Sequence, residues 1–206
     1  MEFGAHLPLM DFGGHPFTLD HLLGYARTAE QLGFDMLCAN DHLVFSVPWL
    51  DGPTALAAVI EASGRMTLAT TVALIAVRGP VPAAKSLAAI DRLSSGRLLV
   101  AAGPGSSPGD YQSVGVEFSE RWPRLDEGIR TLRVLWGKDP SPFTGRFYST
   151  DGIDLLPQPA QPGGPPIWIG SWAPTPGCGA SPASGTDGWH RPTTPRQRCL
   201  AKRSAA

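Results

Sequence analysis

The chain has 206 residues, 42% of them hydrophobic, and a formal net charge of -1 at pH 7. This length and apolar content suffice for one buried core, so we expect one folded domain. The near-neutral charge gives no basic surface for nucleic acid, no apolar run approaches the roughly 20 residues of a membrane span, and no apolar leader follows Met1, so we expect a cytoplasmic protein.

Strand-like and helix-like segments alternate from the N-terminus. Residues 3–7 predict a strand. Apolar residues at helical spacing then run from Thr18, a suitable N-cap, to Gly33, a suitable stop. A second strand is predicted at 35–39 and a helix of small residues at 54–62. The first part of the chain therefore predicts two strand–helix units.

The same alternation continues through the middle of the chain. A run rich in β-branched residues at 67–74 predicts the third strand, and Pro82 is a suitable first residue for the third helix. The uninterrupted apolar run at 98–102 is typical of a parallel strand that is covered on both faces. A fourth helix, an inserted hairpin and a fifth buried strand are predicted at 125–136, 143–155 and 166–170.

Repeated strand–helix units indicate an α/β fold with a parallel sheet and helices outside it. Such a sheet is either open and doubly wound or closed into a barrel, and periodicity does not separate the two. Barrels place their chemistry at the carboxyl ends of strands. Polar and glycine-rich residues stand there in this chain: Asn40, Asp41 and His42 after the second strand, residues 103–110 after the fourth, and Gly170 and Ser171 after the fifth.

The segment G-P-G-S-S-P-G-D at 103–110 joins the fourth strand to the following helix. Gly103 and Gly105 allow close approach of the backbone to a ligand, and Ser106 and Asp110 supply hydrogen-bonding groups. An ordinary surface loop has a similar composition. Taken alone, this segment leaves a structural role and a binding role open.

The three cysteines, Cys38, Cys178 and Cys199, form neither a disulfide framework nor a metal-site spacing. Cys38 falls inside a strand-like run, where a cysteine is typical of core packing. We therefore expect no metal ion.

The composition changes abruptly after Trp172. Residues 173–206 contain almost no aliphatic residues and show no period, so we expect a domain at 1–172 followed by an unstructured or frame-shifted tail. A shifted reading frame is the favoured explanation, and a genuine disordered tail is the alternative. If the codons from Pro176 onward end mostly in G or C, the frame that begins at the last base of the Pro176 codon encodes an amphipathic helix followed by a strand.

In their order and spacing, several motifs resemble the bacterial luciferase-like family of flavin- or deazaflavin-dependent oxidoreductases. The resemblance runs from Phe3 to about Trp172. It is carried by F-G-A-H-L-P, G-F-D-M-L-C-A-N-D-H-L, R-L-S-S-G-R-L with the glycine-rich loop, G-V-E-F-S-E-R-W, R-L-D-E-G-I-R-T-L-R-V-L-W, G-R-F-Y and P-Q-P-A-Q-P-G-G-P-P-I-W-I-G-S.

The resemblance implies a (β/α)8 TIM barrel, of which about five of the eight strand–helix units are present in this chain. It implies FMN or the deazaflavin coenzyme F420 (F-420) as cofactor. The implied activity is that of an oxidoreductase or monooxygenase, with hydride transfer or oxygen insertion on a small organic substrate. We expect a homodimer and neither nucleic acid nor membrane as a partner.

Asp41 and His42 match the family's pair after the second strand, which in deazaflavin members faces the reactive ring. The resemblance therefore implies that these two residues are catalytic. A histidine beside a carboxylate can give or take a proton at neutral pH, in agreement with that role. The alternative is that His42 is a capped or solvent-facing loop residue.

The resemblance also implies a set of cofactor-binding residues. Thr71 and Val72 match a bulge on the third strand that contains a non-proline cis peptide bond in deazaflavin members. The loop that borders the cofactor matches Gly103, Gly105, Ser106 and Asp110, with Asp110 where many members have Glu. Gly170 and Ser171 match a position near the cofactor's phosphate or side chain.

Five units leave two strands with open edges, so we expect a poorly soluble or partly unfolded product with weak cofactor affinity. One alternative is an inactive fragment, or a non-catalytic subunit that completes its barrel with another chain. A metal hydrolase that uses His6 and His42 is a third hypothesis. It is disfavoured because no H-x-H pair or carboxylate cluster accompanies these two histidines.

Overall fold

The computed structural model describes residues 2–11, 13–14 and 17–170. The predicted tail and the boundary after Trp172 lie outside this part of the chain. The described strands are β1 (Gly4–His6), β2 (Met36–Ala39), β3 (Thr67–Ala73), β4 (Leu98–Ala102) and β5 (Ile167–Ile169). The described helices are α1 (Leu19–Gln31), α2 (Gly52–Ala58), α3 (Ile75–Arg78), α4 (Pro80–Leu93), α5 (Pro108–Ser113) and α6 (Arg121–Leu135), with a 3-10 turn at Phe118–Glu120 before α6.

The five strands form one parallel sheet in the order β1-β2-β3-β4-β5. Ala5 pairs with Leu37, Leu37 pairs with Leu68, and Val100 pairs with Ile167. A doubly wound sheet reverses its strand order at a switch point, whereas a barrel adds each strand beside the one before. The observed order therefore favours the barrel. In the described part of the chain, β1 pairs with β2 alone and β5 with β4 alone.

The main core lies between the convex face of the sheet and the helices. Leu68 and Val100 on the strands, and Ile129 and Leu132 on α6, are completely buried there. The concave face carries a smaller cluster of Cys38, Ala69, Leu99 and Ala101, with Trp168 packed against it. Alternate residues of each strand thus serve different cores, and the helix side provides most of the apolar burial.

Local capping signals predicted the first helix well. The Thr18 side chain accepts a hydrogen bond from the backbone N–H of His21, and Gly33 follows α1 at a φ of 80°. β4 has its predicted bounds. The second helix begins before its predicted start, because the Asp51 carboxylate caps it by accepting from the Thr54 N–H at 3.0 Å.

Short elements after strand ends differ from the prediction. α3 and α5 were not predicted, and α4 begins at Pro80 rather than Pro82. The predicted hairpin at 143–155 contains one isolated antiparallel bridge, between Thr144 and Ser149. Ile75, Ala76 and Val77, the three apolar residues that open α3, continue the pattern of β3, so periodicity alone could not separate the helix from the strand.

The G-R-F-Y motif is anchored to α6. The Glu127 carboxylate accepts backbone hydrogen bonds from Arg146, Phe147 and Tyr148 at 2.9, 2.8 and 3.2 Å. A methyl group added at Gly145 would lie within 2.4 Å of the same carboxylate. This motif is explained by the packing of the α6–β5 connection.

Candidate active site

The carboxyl ends of β2 and β4 bring a histidine and an aspartate together. Nδ1 of His42, in the loop after β2, lies 2.7 Å from Oδ2 of Asp110, in the first turn of α5. The His42 side chain is 16% exposed and the Asp110 side chain 1% exposed. In the described part of the chain, the other ring nitrogen, Nε2, has no hydrogen-bond partner. His42 can therefore exchange a proton through Nε2 while Asp110 orients the ring.

Asp110 is held by its other oxygen. Oδ1 accepts the backbone N–H groups of Leu43 at 2.8 Å and Val44 at 2.9 Å. Two backbone N–H groups and the His42 ring nitrogen thus surround this buried carboxylate and satisfy both of its oxygens. The hydroxyl of the adjacent Tyr111 donates to the Pro104 carbonyl and ties the loop after β4 to α5. Burial, above all, raises the pKa of Tyr111 well above its usual range.

Although Asp41 directly precedes His42 in the chain, its carboxylate contacts other groups than the His42 ring. Its carboxylate is buried, accepts from the Leu74 N–H at 3.0 Å and receives both Nε and Nη2 of Arg78. Nη2 of Arg78 also contacts Asp51. The carboxylate beside His42 is instead Asp110. Asp41 is completely engaged in a buried ion pair, so its direct contribution to proton transfer remains a prediction without support from this geometry.

The carboxylates of Asp41 and Asp51 both raise the pKa of Arg78. Burial lowers the pKa of the Arg78 guanidinium, but the hydrogen bonds and charges of Asp41 and Asp51 outweigh it and leave the pKa raised. Burial likewise acts to raise the pKa of Asp51, and donors from Thr54 and Arg78 outweigh that effect and lower it. These shifts favour the charged forms of Arg78 and Asp51.

The loop of residues 41–51, which we call the β2 loop, is closed at its base. A methyl group added at Gly52 would lie 2.2 Å from the carbonyl oxygen of Asn40, so the two ends of the loop touch. His42 packs against two other rings of the loop: its ring centroid lies 4.6 Å from that of Phe45, in a tilted arrangement, and 4.7 Å from that of Trp49, edge to face. These contacts add to the Asp110 hydrogen bond in holding the His42 ring.

The third strand has the expected irregularity. The Thr71–Val72 peptide bond is cis, and the register between β3 and β4 shifts between Thr71 and Ala73. This bulge places Val72 against two glycines of neighbouring segments. A methyl group at Gly103 would lie 2.6 Å from Cγ2 of Val72, and one at Gly170 would lie 2.7 Å from Cγ1. Val72 therefore explains why both positions lack a side chain.

The remaining predicted binding residues have different surroundings. Gly105 has a φ of 69°, which favours glycine, and its α-carbon faces Leu74. Ser106 is exposed at the rim. Ser171 lies outside the described residues. The structure thus brings Thr71, Val72, Gly103 and Gly170 together, and it places Asp110 with His42.

Two buried polar atoms of this region have no hydrogen-bond partner among the described residues: Nε1 of Trp49 and Oγ1 of Thr71. Both belong to segments at the carboxyl ends of β2 and β3. Buried polar groups normally have a partner, so the Trp49 N–H and the Thr71 hydroxyl are two groups here that a further polar partner would satisfy. A flavin or deazaflavin ring with its carbonyl and nitrogen groups fits this requirement.

Sequence reasoning missed Arg78 and Trp49. Arg78 is the one charged residue between Met66 and Lys85, and a single charge in such an apolar run was the available signal. His6, considered as a lining residue, ends β1, and its Nδ1 lies 2.6 Å from Oδ1 of Asn40. Within the described ranges, no group of three or more His, Cys, Asp or Glu side chains is placed to hold a metal ion.

The helices described for this chain contain none with the length and apolar character that a bilayer crossing requires. The consecutive parallel sheet with helices outside it and a polar cluster at its carboxyl edge are typical of a protein of the TIM-barrel class. The chain belongs to the luciferase-like monooxygenase family, whose model matches residues 1–176. This finding confirms the resemblance drawn from the sequence motifs.

Similar proteins include both deazaflavin and flavin enzymes. The F420-dependent glucose-6-phosphate dehydrogenase of Amycolatopsis mediterranei (strain U-32) is 32% identical over 164 residues, which cover 74% of this chain and 48% of the relative. The FMNH(2)-dependent dimethylsulfone monooxygenase of Pseudomonas fluorescens (strain Pf0-1) is 42% identical over 94 residues, covering 44% of this chain and 25% of the relative.

A solved structure supports the fold. The monooxygenase RslO1 from Streptomyces bottropensis superposes with a TM-score of 0.73 at 28% identity, over 82% of this chain and 53% of that one. The chain thus spans about half the length of the Amycolatopsis dehydrogenase and of RslO1. Its described residues form an incomplete luciferase-like barrel of five strands.

Proposed function

We propose that this chain acts as a luciferase-like oxidoreductase with coenzyme F420 or FMN, on a small organic substrate, and that its site lies at the carboxyl ends of β2, β3 and β4. The observation that carries the proposal is the hydrogen bond between His42 and Asp110 at this edge. A histidine oriented by a buried carboxylate is suited to general acid–base chemistry. When bound, the cofactor supplies hydride transfer or oxygen activation.

His42 is proposed to hold or take up a proton at Nε2. Asp110 accepts the Nδ1 proton and thereby selects the tautomer whose Nε2 is free to act as a base. The backbone donors of Leu43 and Val44 keep the Asp110 carboxylate in place. Phe45 and Trp49 shield the ring from water on one side, because both pack against it.

The cofactor ring is proposed to rest on the β3 bulge. Thr71 and Val72 would hold it, and Gly103 and Gly170 support Val72 from behind. The unpartnered groups of Thr71 and Trp49 are available to a polar ring edge. We favour coenzyme F420 over FMN, since Asp41 and His42 are both present and match the pair that the family resemblance links to deazaflavin members.

The test combines cofactor binding with turnover. The purified protein is titrated separately with F420 and with FMN, and reduction or oxidation is then followed with glucose 6-phosphate and dimethylsulfone as first probes. The variant His42→Asn is informative because its side-chain amide can still donate to Asp110 but has no counterpart of Nε2. We expect cofactor binding to persist and turnover to fall by roughly 10²–10⁴-fold, the usual contribution of acid–base catalysis.

Two outcomes would contradict the proposal. A folded protein that binds neither cofactor would favour the non-catalytic alternative. Equal turnover in the wild type and in His42→Asn would remove His42 from the chemistry.

The proposed assembly is a homodimer. Residues 43–45, Leu-Val-Phe, are each at least 40% exposed, which favours their burial against a second copy. A monomer mass in light scattering would contradict this assembly.

A further inference from the structure

We propose that Arg78 is a positioning residue, which closes the base of the β2 loop and thereby sets the location of His42. Its role in closing the loop follows from the contacts alone. Its effect on catalysis rests on the proposed function.

Arg78 joins the first residue of the loop to the last. Its Nε donates to Oδ2 of Asp41 at 2.7 Å, and its Nη2 donates to Asp41 and also to Asp51. Asp41 and Asp51 are the two end residues of the β2 loop. One guanidinium therefore spans the loop base, and Arg78 itself is fixed at the end of α3, directly after β3.

Each aspartate is tied to a further element. Asp41 also accepts the Leu74 N–H, which attaches it to the start of α3. The second oxygen of Asp51 accepts both the N–H and the hydroxyl of Thr54, at 3.0 and 2.6 Å, and so caps α2. Arg78 thus connects the β2 loop to both α2 and α3. Asp41 is 4% exposed, so its charge would be left buried and unpaired without this arginine.

The loop has a second attachment, at Asp110, and His42 lies between the two. Asp110 holds Nδ1 of His42 and the N–H groups of Leu43 and Val44. Asp41, directly before His42, is held by Arg78. With the second attachment alone, the loop could pivot about α5, and the distance from His42 to the β3 bulge would no longer be set.

Lysine cannot replace this arginine. The planar guanidinium reaches both oxygens of Asp41 and one oxygen of Asp51 in fixed directions, whereas an ammonium is a single point charge on a flexible stem. Retention of charge is therefore insufficient, and Arg78→Lys and Arg78→Gln should both loosen the loop.

Hydrogen exchange in the protein without cofactor tests the loop directly. Amide exchange of the segment 42–51 is measured by mass spectrometry in wild type, Arg78→Gln, Arg78→Lys and a control, Arg97→Gln. Arg97 is also a partly buried arginine with several acceptors, the Ser63 hydroxyl and the Met66 and Ile60 carbonyls, but it lies at the amino ends of β3 and β4.

We expect exchange of 42–51 to rise at least tenfold in Arg78→Gln, by a smaller factor in Arg78→Lys, and to stay at the wild-type rate in Arg97→Gln. Wild-type exchange in both Arg78 variants would overturn the proposal. An equal rise in Arg97→Gln would also overturn it, because general loss of stability would then explain the effect. If Arg78→Gln fails to fold, the same comparison is made between Arg78→Lys and Arg97→Lys.

The effect of Arg78 on catalysis is tested by a separate measurement. In Arg78→Lys, we expect kcat to fall at least tenfold and the dissociation constant for the cofactor to change by a smaller factor, since the loop positions His42 and reaches the proposed cofactor site only through Trp49. Unchanged kcat alongside faster loop exchange would overturn the catalytic part alone. A wild-type protein without turnover but with the expected exchange pattern would contradict the proposed function and leave the loop closure supported.

Discussion

The imidazole of His42 and the carboxylate of Asp110 meet at 2.7 Å although 68 residues separate them in the chain. The β2 loop reaches across the end of β3 to make this contact with the first turn of α5. The orientation of His42 therefore depends on a helix that follows a different strand, and changes at α5 should affect the histidine.

Asp110→Asn should disturb the orientation of His42 but keep the backbone hydrogen bonds that attach the β2 loop to α5. The remaining oxygen can still accept from Leu43 and Val44, but the amide nitrogen cannot accept the Nδ1 proton of His42. We expect a loss of unfolding free energy of about 1–3 kcal/mol for the broken buried hydrogen bond. Turnover should fall by roughly 10²-fold or more, as for a misplaced base. Thermal unfolding and steady-state kinetics measure the two effects.

Asp91→Asn is the matched control for that variant. Asp91 is completely buried and accepts from the backbone and side-chain nitrogens of Gln161 at 2.9 and 2.7 Å, at the amino ends of the strands. It should lose comparable stability and keep wild-type turnover. Equal kinetic losses in both variants would assign the Asp110 effect to destabilisation.

Gly103→Ala should destabilise the β3 bulge. The added methyl group would lie 2.6 Å from Val72 and 2.8 Å from the carbonyl oxygen of Gly170, and backbone cannot move away cheaply. We expect a loss of about 1–3 kcal/mol in unfolding free energy, as for an overpacked core, measured in urea.

Gly109→Ala serves as the comparison, because its added methyl group would meet its nearest atoms at 3.5 and 3.6 Å, an ordinary contact distance. Removal of the Val72 methyl groups in Gly103→Ala/Val72→Ala should restore part of the lost stability. If Gly103→Ala is as stable as Gly109→Ala, Val72 is not the reason for the glycine.

Asp51 should stabilise the fold in a pH-dependent manner. Burial acts to raise its pKa, but hydrogen bonds from Thr54 and Arg78 place the folded-state pKa below the ordinary value of 3.8. The charged form is thus favoured in the folded state. Its contribution is present above pH 3.8 and disappears as the pH falls through the lower, folded-state pKa.

Asp51→Asn measures this contribution, because asparagine caps a helix about as well and loses only the ion pair with Arg78. The Asp51 side chain is 39% exposed, so we expect a deficit of less than about 1 kcal/mol at pH 7. The deficit is measured by urea unfolding at pH 7 and below pH 3. It should shrink toward zero at the lower pH. A deficit of the same size at both pH values would show that ionisation of Asp51 is not its cause.

Cys38 should be chemically inert in the folded protein. Burial on the concave face of the sheet raises the pKa of its thiol to about 11, so almost no thiolate is present at pH 8. With Cys178 and Cys199 replaced by serine, we expect a thiol-reactive disulfide reagent to label Cys38 rapidly in denaturant and very slowly without it. Rapid labelling of the native protein would mean that the concave face is open to solvent.

Elements with local signals could be predicted from the sequence. The cap at Thr18, the glycine stop at Gly33 and the apolar run of β4 each depend on neighbouring residues, and all three appear in the structure. The four residues of α3 could not be separated from β3, because the apolar pattern continues from Ala73 through Val77 without a change.

The sequence predicted at which edge of the sheet the candidate residues lie, but not which side chains contact each other. His42 and Asp110 were both expected at the carboxyl edge, but the choice of Asp110 rather than Asp41 as partner depends on Arg78, 37 residues from Asp41. The positions of Gly103 and Gly170 were noted, whereas their reason, the side chain of Val72, becomes apparent only when three strands are adjacent.

The consecutive order of the sheet bears on how this chain folds. β2, β3 and β4 each pair with the strand made just before them, so each of these three pairings closes a loop about one strand–helix unit long. Short loops close at low entropic cost, and N-terminal segments emerge first during synthesis. The sheet can therefore be assembled strand by strand while the ribosome is still translating, with each new unit docking on a template already in place.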